Sequence, residues 1–79
     1  MAIIGGAFYP TSGAFPAAYR GDYYFADNAA GWVARMDLAN DNAVYAFAQL
    51  GRPPVGMLAG TDGALYVLTY QHIVRISAP

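Results

Sequence analysis

Two stretches of this 79-residue chain repeat one another, and the repeat limits the folds that the chain can adopt. Residues 21–37 read GDYYFADNAAGWVARMD, and residues 63–77 read GALYVLTYQHIVRIS. Aligned from their first glycines, with one two-residue gap, they match at Gly21 and Gly63, Tyr24 and Tyr66, and Arg35 and Arg75. The offset is 42 positions at the glycines and 40 at the arginines. This spacing is typical of β-propeller blades, which take roughly 40–50 residues each.

Apolar residues recur with a period of two along most of the chain, which indicates strands, and turn-forming residues separate these runs. No stretch of ten or more residues has the spacing of an amphipathic helix. The sequence predicts seven strands, at residues 2–9, 22–27, 32–38, 43–50, 55–59, 64–70 and 72–77. We therefore predict an all-β, single-domain β-propeller fragment of about two four-stranded antiparallel blades. Blade one takes about residues 2–50, and blade two takes about residues 54–77 and lacks its outer strand.

The second strand of each predicted blade, at residues 22–27 and 64–70, has apolar side chains on both faces. Both faces of such a strand are expected to be covered, as in a sheet stacked between two others. Residues 10–20 form a loop punctuated by proline and glycine, in which Phe15 and Tyr19 are expected to cap the apolar end of a sheet.

Composition limits the partners of the chain. It is 57% hydrophobic and 11% charged and contains no cysteine, so disulfides and zinc-thiolate sites are excluded. The net charge of −1 predicts no nucleic-acid partner. No apolar run is long enough to predict a membrane span, and the start MAIIGGAFYP lacks the features of a secretory signal. With so few charged residues, much of the surface of the folded chain must be apolar, which predicts contact with another copy or with further blades.

The motifs GAFYP, GDYYFAD, GWVARMD and DGALYVL, followed by HIVRI, occur in this order along nearly the whole chain. In this order they resemble the C-terminal blades of the glucose/sorbosone dehydrogenase family, the soluble quinoprotein sugar dehydrogenases. The resemblance implies a six-bladed propeller, typically periplasmic or secreted, that binds pyrroloquinoline quinone and calcium and oxidises aldose sugars. These 79 residues correspond to about a third of such a protein.

The chain departs from this family at the stretch before the innermost strand of the last blade. Family members that bind the quinone tend to carry basic side chains there, whereas this chain reads RPPVGM. The resemblance leaves Arg52 as the one cofactor-binding candidate. The catalytic histidine of the family belongs to an earlier blade and has no counterpart here. We therefore expect no cofactor in this chain alone.

Other polar residues favour structural roles. His72, the only histidine, is expected to be half-buried in a blade, and no residue is predicted to be catalytic or to bind a metal. Aspartates at turns are expected to cap them, and the two repeated arginines to bond the backbone of a neighbouring blade. Trp32 and Tyr70 lie near loops and are the candidates for contact with a saccharide.

Two functions follow from these observations. In the first, the chain is a C-terminal fragment of a quinoprotein sugar dehydrogenase that is not catalytically competent alone. In the second, it is a non-enzymatic, self-assembling propeller scaffold that binds a saccharide or a protein. Three copies of two blades would give the six blades of the family, so a trimer is favoured, and a dimer with an exchanged strand is the next alternative.

Overall fold

A computed structural model of the chain describes residues 3–77, which form two sheets. The strands are β1 (Ile3–Phe8), β2 (Tyr23–Asp27), β3 (Trp32–Asp37), β4 (Ala43–Gln49), β5 (Pro54–Ala59), β6 (Leu65–Thr69) and β7 (Ile73–Ile76). A 3₁₀ helix at Ala17–Tyr19 lies between β1 and β2. The all-β prediction is confirmed, and each predicted strand end is within one residue of its position; Ala2, where the first strand was predicted to begin, lies outside the described residues. No helix in residues 3–77 is long and apolar enough to cross a membrane.

Each sheet is an antiparallel meander in which strands that follow one another in sequence are neighbours. Sheet 1 has the order β1-β2-β3-β4, and sheet 2 has the order β5-β6-β7. Within sheet 1, Gly6 marks an irregularity in the β1–β2 register, where a β-carbon would overlap the carbonyl oxygen of Tyr24. Only glycine permits this approach of the two strands.

The sequence repeat is also a repeat of strand register. Tyr24 lies opposite Arg35 across β2 and β3, and Tyr66 lies opposite Arg75 across β6 and β7. Three further cross-strand pairs of the first hairpin each have a matching pair in the second. Tyr23–Met36 matches Leu65–Ile76, Phe25–Ala34 matches Val67–Val74, and Ala26–Val33 matches Leu68–Ile73. The two hairpins therefore present their side chains in the same pattern.

The sheets stack face to face and enclose the hydrophobic core. Sheet 1 contributes Tyr24, Ala26 and Val33, and sheet 2 contributes Leu65 and Val67, all almost fully buried. The first strands of the two sheets, β1 and β5, lie beside each other. We call the two surfaces in this core the inner faces, and the opposite surfaces the outer faces.

The loop of residues 9–22 folds over the inner face of sheet 1. Tyr9 and Phe15 are both buried, and their rings stack with centroids 4.2 Å apart. The ring of Tyr19 meets that of Phe15 edge-on at 6.3 Å. Phe15 and Tyr19, which were predicted to cap the apolar end of a sheet, thus cover apolar residues on the inner face of sheet 1.

The outer faces of both sheets expose large apolar side chains to solvent, and the outer face of sheet 2 also carries Arg75, opposite Tyr66. Phe8 on sheet 1 is 65% exposed, and Ile73 on sheet 2 is 69% exposed. The total surface of 4543 Å² is close to the roughly 4,600 Å² expected of a folded monomer of 8.4 kDa. The amount of surface is therefore ordinary, and its apolar character is the unusual feature. Within one chain, only one face of each sheet is covered.

Candidate functional site

All the sequence-predicted site residues lie at one end of the two sheets. The β2–β3 turn, the β4–β5 loop and the β6–β7 turn are found there because successive strands run in opposite directions. Two hydrogen bonds hold the first turn against the loop. The side-chain amide of Asn28 donates to the carbonyl oxygen of Pro54 at 2.8 Å. The backbone N–H of Leu50 donates to the carbonyl oxygen of Gly31, also at 2.8 Å.

Arg52 lies in the β4–β5 loop and reaches the β6–β7 turn. Its Nη1 atom is 2.9 Å from Nδ1 of His72. A guanidinium has only donors, so in this contact the ring nitrogen of His72 is on the accepting side. Beside this pair is a groove of about 120 Å³, the Arg52 groove, which is lined by Arg52, Pro53, Thr69, Tyr70, Gln71 and His72.

The structure places the two predicted saccharide contacts apart. Tyr70 lines the Arg52 groove and is 83% exposed, so its ring is available to a ligand. Trp32 is at the same end of the molecule but outside the groove. Its ring is half-buried on the outer face of sheet 1 and meets that of Phe25 edge-on at 6.1 Å. The groove therefore unites Arg52 and Tyr70 without Trp32.

His72 is exposed, so the expectation of a half-buried histidine was wrong. The reason is its position: β7 begins at Ile73, and His72 is in the turn before the strand. The backbone carbonyl oxygen of His72 accepts bonds from the N–H of Thr69 at 2.9 Å and from its hydroxyl group at 3.2 Å. These two bonds close the turn and hold the imidazole beside Arg52.

The Arg52 groove does not fit the cofactors that the family resemblance implies. It offers one guanidinium and one imidazole, and its volume of about 120 Å³ is well below the roughly 300–1,000 Å³ of small-molecule pockets. It contains no carboxylate to hold calcium, a cation that takes six to eight oxygen ligands. Across residues 3–77, no three side chains of His, Cys, Asp or Glu converge on one point.

Comparison with known proteins gives no relative from which to assign a function. No protein-family model, curated protein or solved structure matches the chain.

A second polar cluster lies at the opposite end of sheet 2. Oδ2 of Asp62 accepts bonds from the hydroxyl group of Tyr66 at 2.5 Å and from Nε of Arg75 at 3.1 Å, while Oδ1 accepts the N–H of Ala64 at 3.0 Å. These donors, Tyr66 foremost, lower the pKa of Asp62 to about 2. Asp62 caps its turn as predicted, but no sequence pattern predicted the Tyr66 contact.

The matching arginine of sheet 1 has a buried environment. Nη1 of Arg35 lies 2.6 Å from Oδ2 of Asp22, and their side chains are only 13% and 5% exposed. The same atom donates to the carbonyl oxygen of Ala18 at 3.1 Å. Arg35 thus bonds the loop of its own sheet rather than a neighbouring blade, and Asp22 pairs with it rather than serving only as a cap. Burial, followed by the charge of Asp22, raises the pKa of nearby Tyr24 well above its usual value.

Proposed function

We propose that this chain is a two-blade segment of a β-propeller and that its role is structural. The observation that carries the proposal is the opposite direction of two matched tyrosines. Tyr24 points into the core between the sheets, whereas Tyr66, at the same register position, borders the apolar groove on the outer face of sheet 2. The inner faces are therefore not equivalent: the face of sheet 2 that corresponds to the inner face of sheet 1 is turned outward.

This arrangement is what repeated blades require. In a sandwich of two sheets related by a two-fold axis, matched residues would both point into the core. In a propeller, each blade presents one kind of face to the blade before it and the other kind to the blade after it. Because repeat units contact only their neighbours, two such blades leave one face of each kind open, as here.

The order of its motifs supports a more specific proposal, that the chain belongs to a propeller of the glucose/sorbosone dehydrogenase type. Its blades would build part of the wall of the ring and would not catalyse sugar oxidation alone. The poor fit of the Arg52 groove to the quinone and to calcium supports this second part. The remaining blades of such a propeller would supply the catalytic histidine and the cofactor site.

Two measurements test the proposal. Proton–proton contacts measured by NMR are expected between the inner-face side chains Tyr24, Ala26 and Val33 of sheet 1 and Leu65 and Val67 of sheet 2. None is expected from Tyr66 to these inner-face residues of sheet 1, and such contacts would contradict the stacking of blades. The purified chain, mixed with pyrroloquinoline quinone, calcium, an aldose and a dye that accepts electrons, is expected to reduce the dye no faster than buffer does. Aldose-dependent dye reduction that scales with chain concentration would contradict the structural role.

Saccharide binding at the Arg52 groove is the second candidate function, and the exposed ring of Tyr70 beside a guanidinium favours it. Aromatic rings pack against sugar faces, and arginine donates to hydroxyl groups. Titration with glucose, followed by NMR, is expected to shift the resonances of His72 in the native chain and in Leu38→Ala, and not in Tyr70→Ala. Leu38→Ala, an exposed position at the other end of the molecule, is the control. Equal shifts in both variants would contradict a site in this groove.

A further inference from the structure

The two outer faces of the chain are complementary to each other. The matched residues show that the outer face of sheet 2, with Tyr66, Leu68 and Ile73, corresponds to the inner face of sheet 1, with Tyr24, Ala26 and Val33. The reverse correspondence holds for the other pair of faces: Tyr23, Phe25 and Met36 on the outside of sheet 1 match Leu65, Val67 and Ile76 on the inside of sheet 2.

We infer that the outer face of sheet 2 in one copy of this chain packs against the outer face of sheet 1 in a second copy, head to tail. The contact between copies would repeat the contact that already joins the two sheets within each chain. One molecule thus carries both halves of the interface, which is why a second copy is the partner that fits. The inference depends on the two-blade proposal, because only stacked, equivalent sheets make the outer faces complementary.

The surfaces themselves suit this contact. On the outer face of sheet 1, aromatic rings form a continuous row, with centroid distances of 4.7 Å from Phe8 to Tyr23, 6.2 Å from Tyr23 to Phe25 and 6.1 Å from Phe25 to Trp32. The outer face of sheet 2 has a groove of about 310 Å³, lined by Gly56, Met57, Leu58, Tyr66, Leu68 and Ile73. A row of aromatic rings against an apolar groove is the composition found at the centres of protein interfaces.

The inferred contact would differ from the core of the chain in one respect. The long loop with Tyr9 and Phe15, which covers the inner face of sheet 1, has no counterpart in sheet 2, where residues 60–64 connect β5 and β6 directly. The contact between copies would therefore lack these two buried rings and be weaker than the contact within a chain. We expect association to depend on protein concentration. A head-to-tail contact makes a ring if its rotation closes, and three copies would give six blades.

A pair of charge-introducing variants tests the direction of the contact. Phe8→Asp alters the outer face of sheet 1, and Ile73→Asp alters that of sheet 2. Each alone is expected to weaken association by roughly 100-fold or more, because an unpaired carboxylate would be buried in an apolar interface. Mixed together, they are expected to form a heterodimer and nothing larger, since one intact face remains on each variant. Ala39→Asp, in the exposed β3–β4 turn, introduces the same charge and should leave association unchanged.

Light scattering coupled to size exclusion measures the outcome against the protomer mass of 8.4 kDa. A heterodimer in the mixture supports the inference. Homodimers of either variant alone would show that like faces pair, or that a strand is exchanged, and would overturn it. A native chain that stays monomeric at millimolar concentration would also overturn it, while the NMR contacts of Tyr24 decide the two-blade proposal independently.

Both altered side chains are largely exposed in one chain, so the fold of the monomer should survive the changes; near-ultraviolet circular dichroism checks this. If either variant does not fold, Val44→Asp replaces it on sheet 1, and Leu58→Asp replaces it on sheet 2. Val44 and Leu58 are 55% and 57% exposed. The same three mass outcomes apply to this second pair.

Discussion

The hydroxyl group of Tyr9 donates a hydrogen bond of 2.5 Å to the carbonyl oxygen of Gly63, and this bond ties the loop of sheet 1 to the β5–β6 turn of sheet 2. The same hydroxyl oxygen accepts the buried N–H of Phe15 at 3.1 Å. A single side chain therefore satisfies one backbone group on each side of the contact between the sheets.

Removal of this hydroxyl group should destabilise the fold. Tyr9→Phe would leave the buried N–H of Phe15 and the part-buried carbonyl oxygen of Gly63 without this partner. We expect the free energy of unfolding to fall by about 1–3 kcal/mol. Urea denaturation measures the change. Tyr70→Phe, on an exposed ring, is the control and should change it by less than about 0.5 kcal/mol. Equal effects of the two variants would contradict the role of the Tyr9 bond.

Two adjacent glycines in β1 should respond differently to the same change. In Gly6→Ala the new methyl group would overlap the carbonyl oxygen of Tyr24, whereas in Gly5→Ala nothing lies within 4 Å of it. We expect Gly6→Ala to lower the free energy of unfolding by about 3 kcal/mol or more, because two backbones must separate. Gly5→Ala is expected to be within about 1 kcal/mol of the native chain. Thermal and urea unfolding compare the two, and similar losses would show that the close approach is not what β1 requires.

The two repeated arginines should differ in their contribution to stability. Arg35→Met would leave the carboxylate of Asp22 buried without its ion pair, a change that typically costs about 3–5 kcal/mol. Arg75→Met removes one partner of the exposed Asp62, so a much smaller loss is expected. Urea denaturation at neutral pH and low protein concentration gives both values. Asp22→Asn in the Arg35→Met background should recover part of the loss, and a failure to recover would contradict an electrostatic cause.

Tyr66 should control the pKa of Asp62. Its hydroxyl group is the largest of the influences that hold this pKa at about 2, against an ordinary value of 3.8. In Tyr66→Phe we expect the pKa to rise towards 3.8, measured from the carboxyl carbon shift as a function of pH. Tyr70→Phe, at the opposite end of sheet 2, is the control and should leave the pKa of Asp62 unchanged. An unchanged pKa in Tyr66→Phe would contradict the role of its hydroxyl group.

The same pKa shift fixes the sign of a pH effect on stability. Because the pKa of Asp62 is lower in the folded chain than in the unfolded one, its carboxylate stabilises the fold above about pH 4, and this contribution is lost as the pH falls towards 2. The difference in melting temperature between the native chain and Asp62→Asn should therefore shrink across this interval. The side chain is exposed, so the effect should be small.

The strands could be predicted from the sequence because their signals are local. Alternation of apolar residues and the turn residues between them place every described strand end within one residue. The repeat also predicted which positions of the two hairpins match, and the common register of Tyr24 with Arg35 and of Tyr66 with Arg75 follows from it. Both inferences need only neighbours in the chain or a comparison of the chain with itself.

The side-chain clusters could not be predicted because they depend on tertiary contacts. Arg52 and His72 meet across 20 positions, and their approach depends on where the β6–β7 turn ends. The burial of the Arg35 ion pair depends on the path of the loop above it, and no periodic pattern encodes that path. Tyr66 reaches Asp62 only because the turn between them brings the ring back over the carboxylate.

Within each sheet every strand pairs with the next one in sequence, and all the hairpins except β1–β2 close over short turns. We expect the hairpins to form first, in roughly 1–10 μs, the time typical of isolated hairpins. Docking of the sheets brings together Tyr9 and Gly63, which are separated by 54 positions, and we expect this slower, non-local step to limit the folding rate. During folding, docking of the two sheets within one chain would then compete with association of an undocked sheet with another molecule.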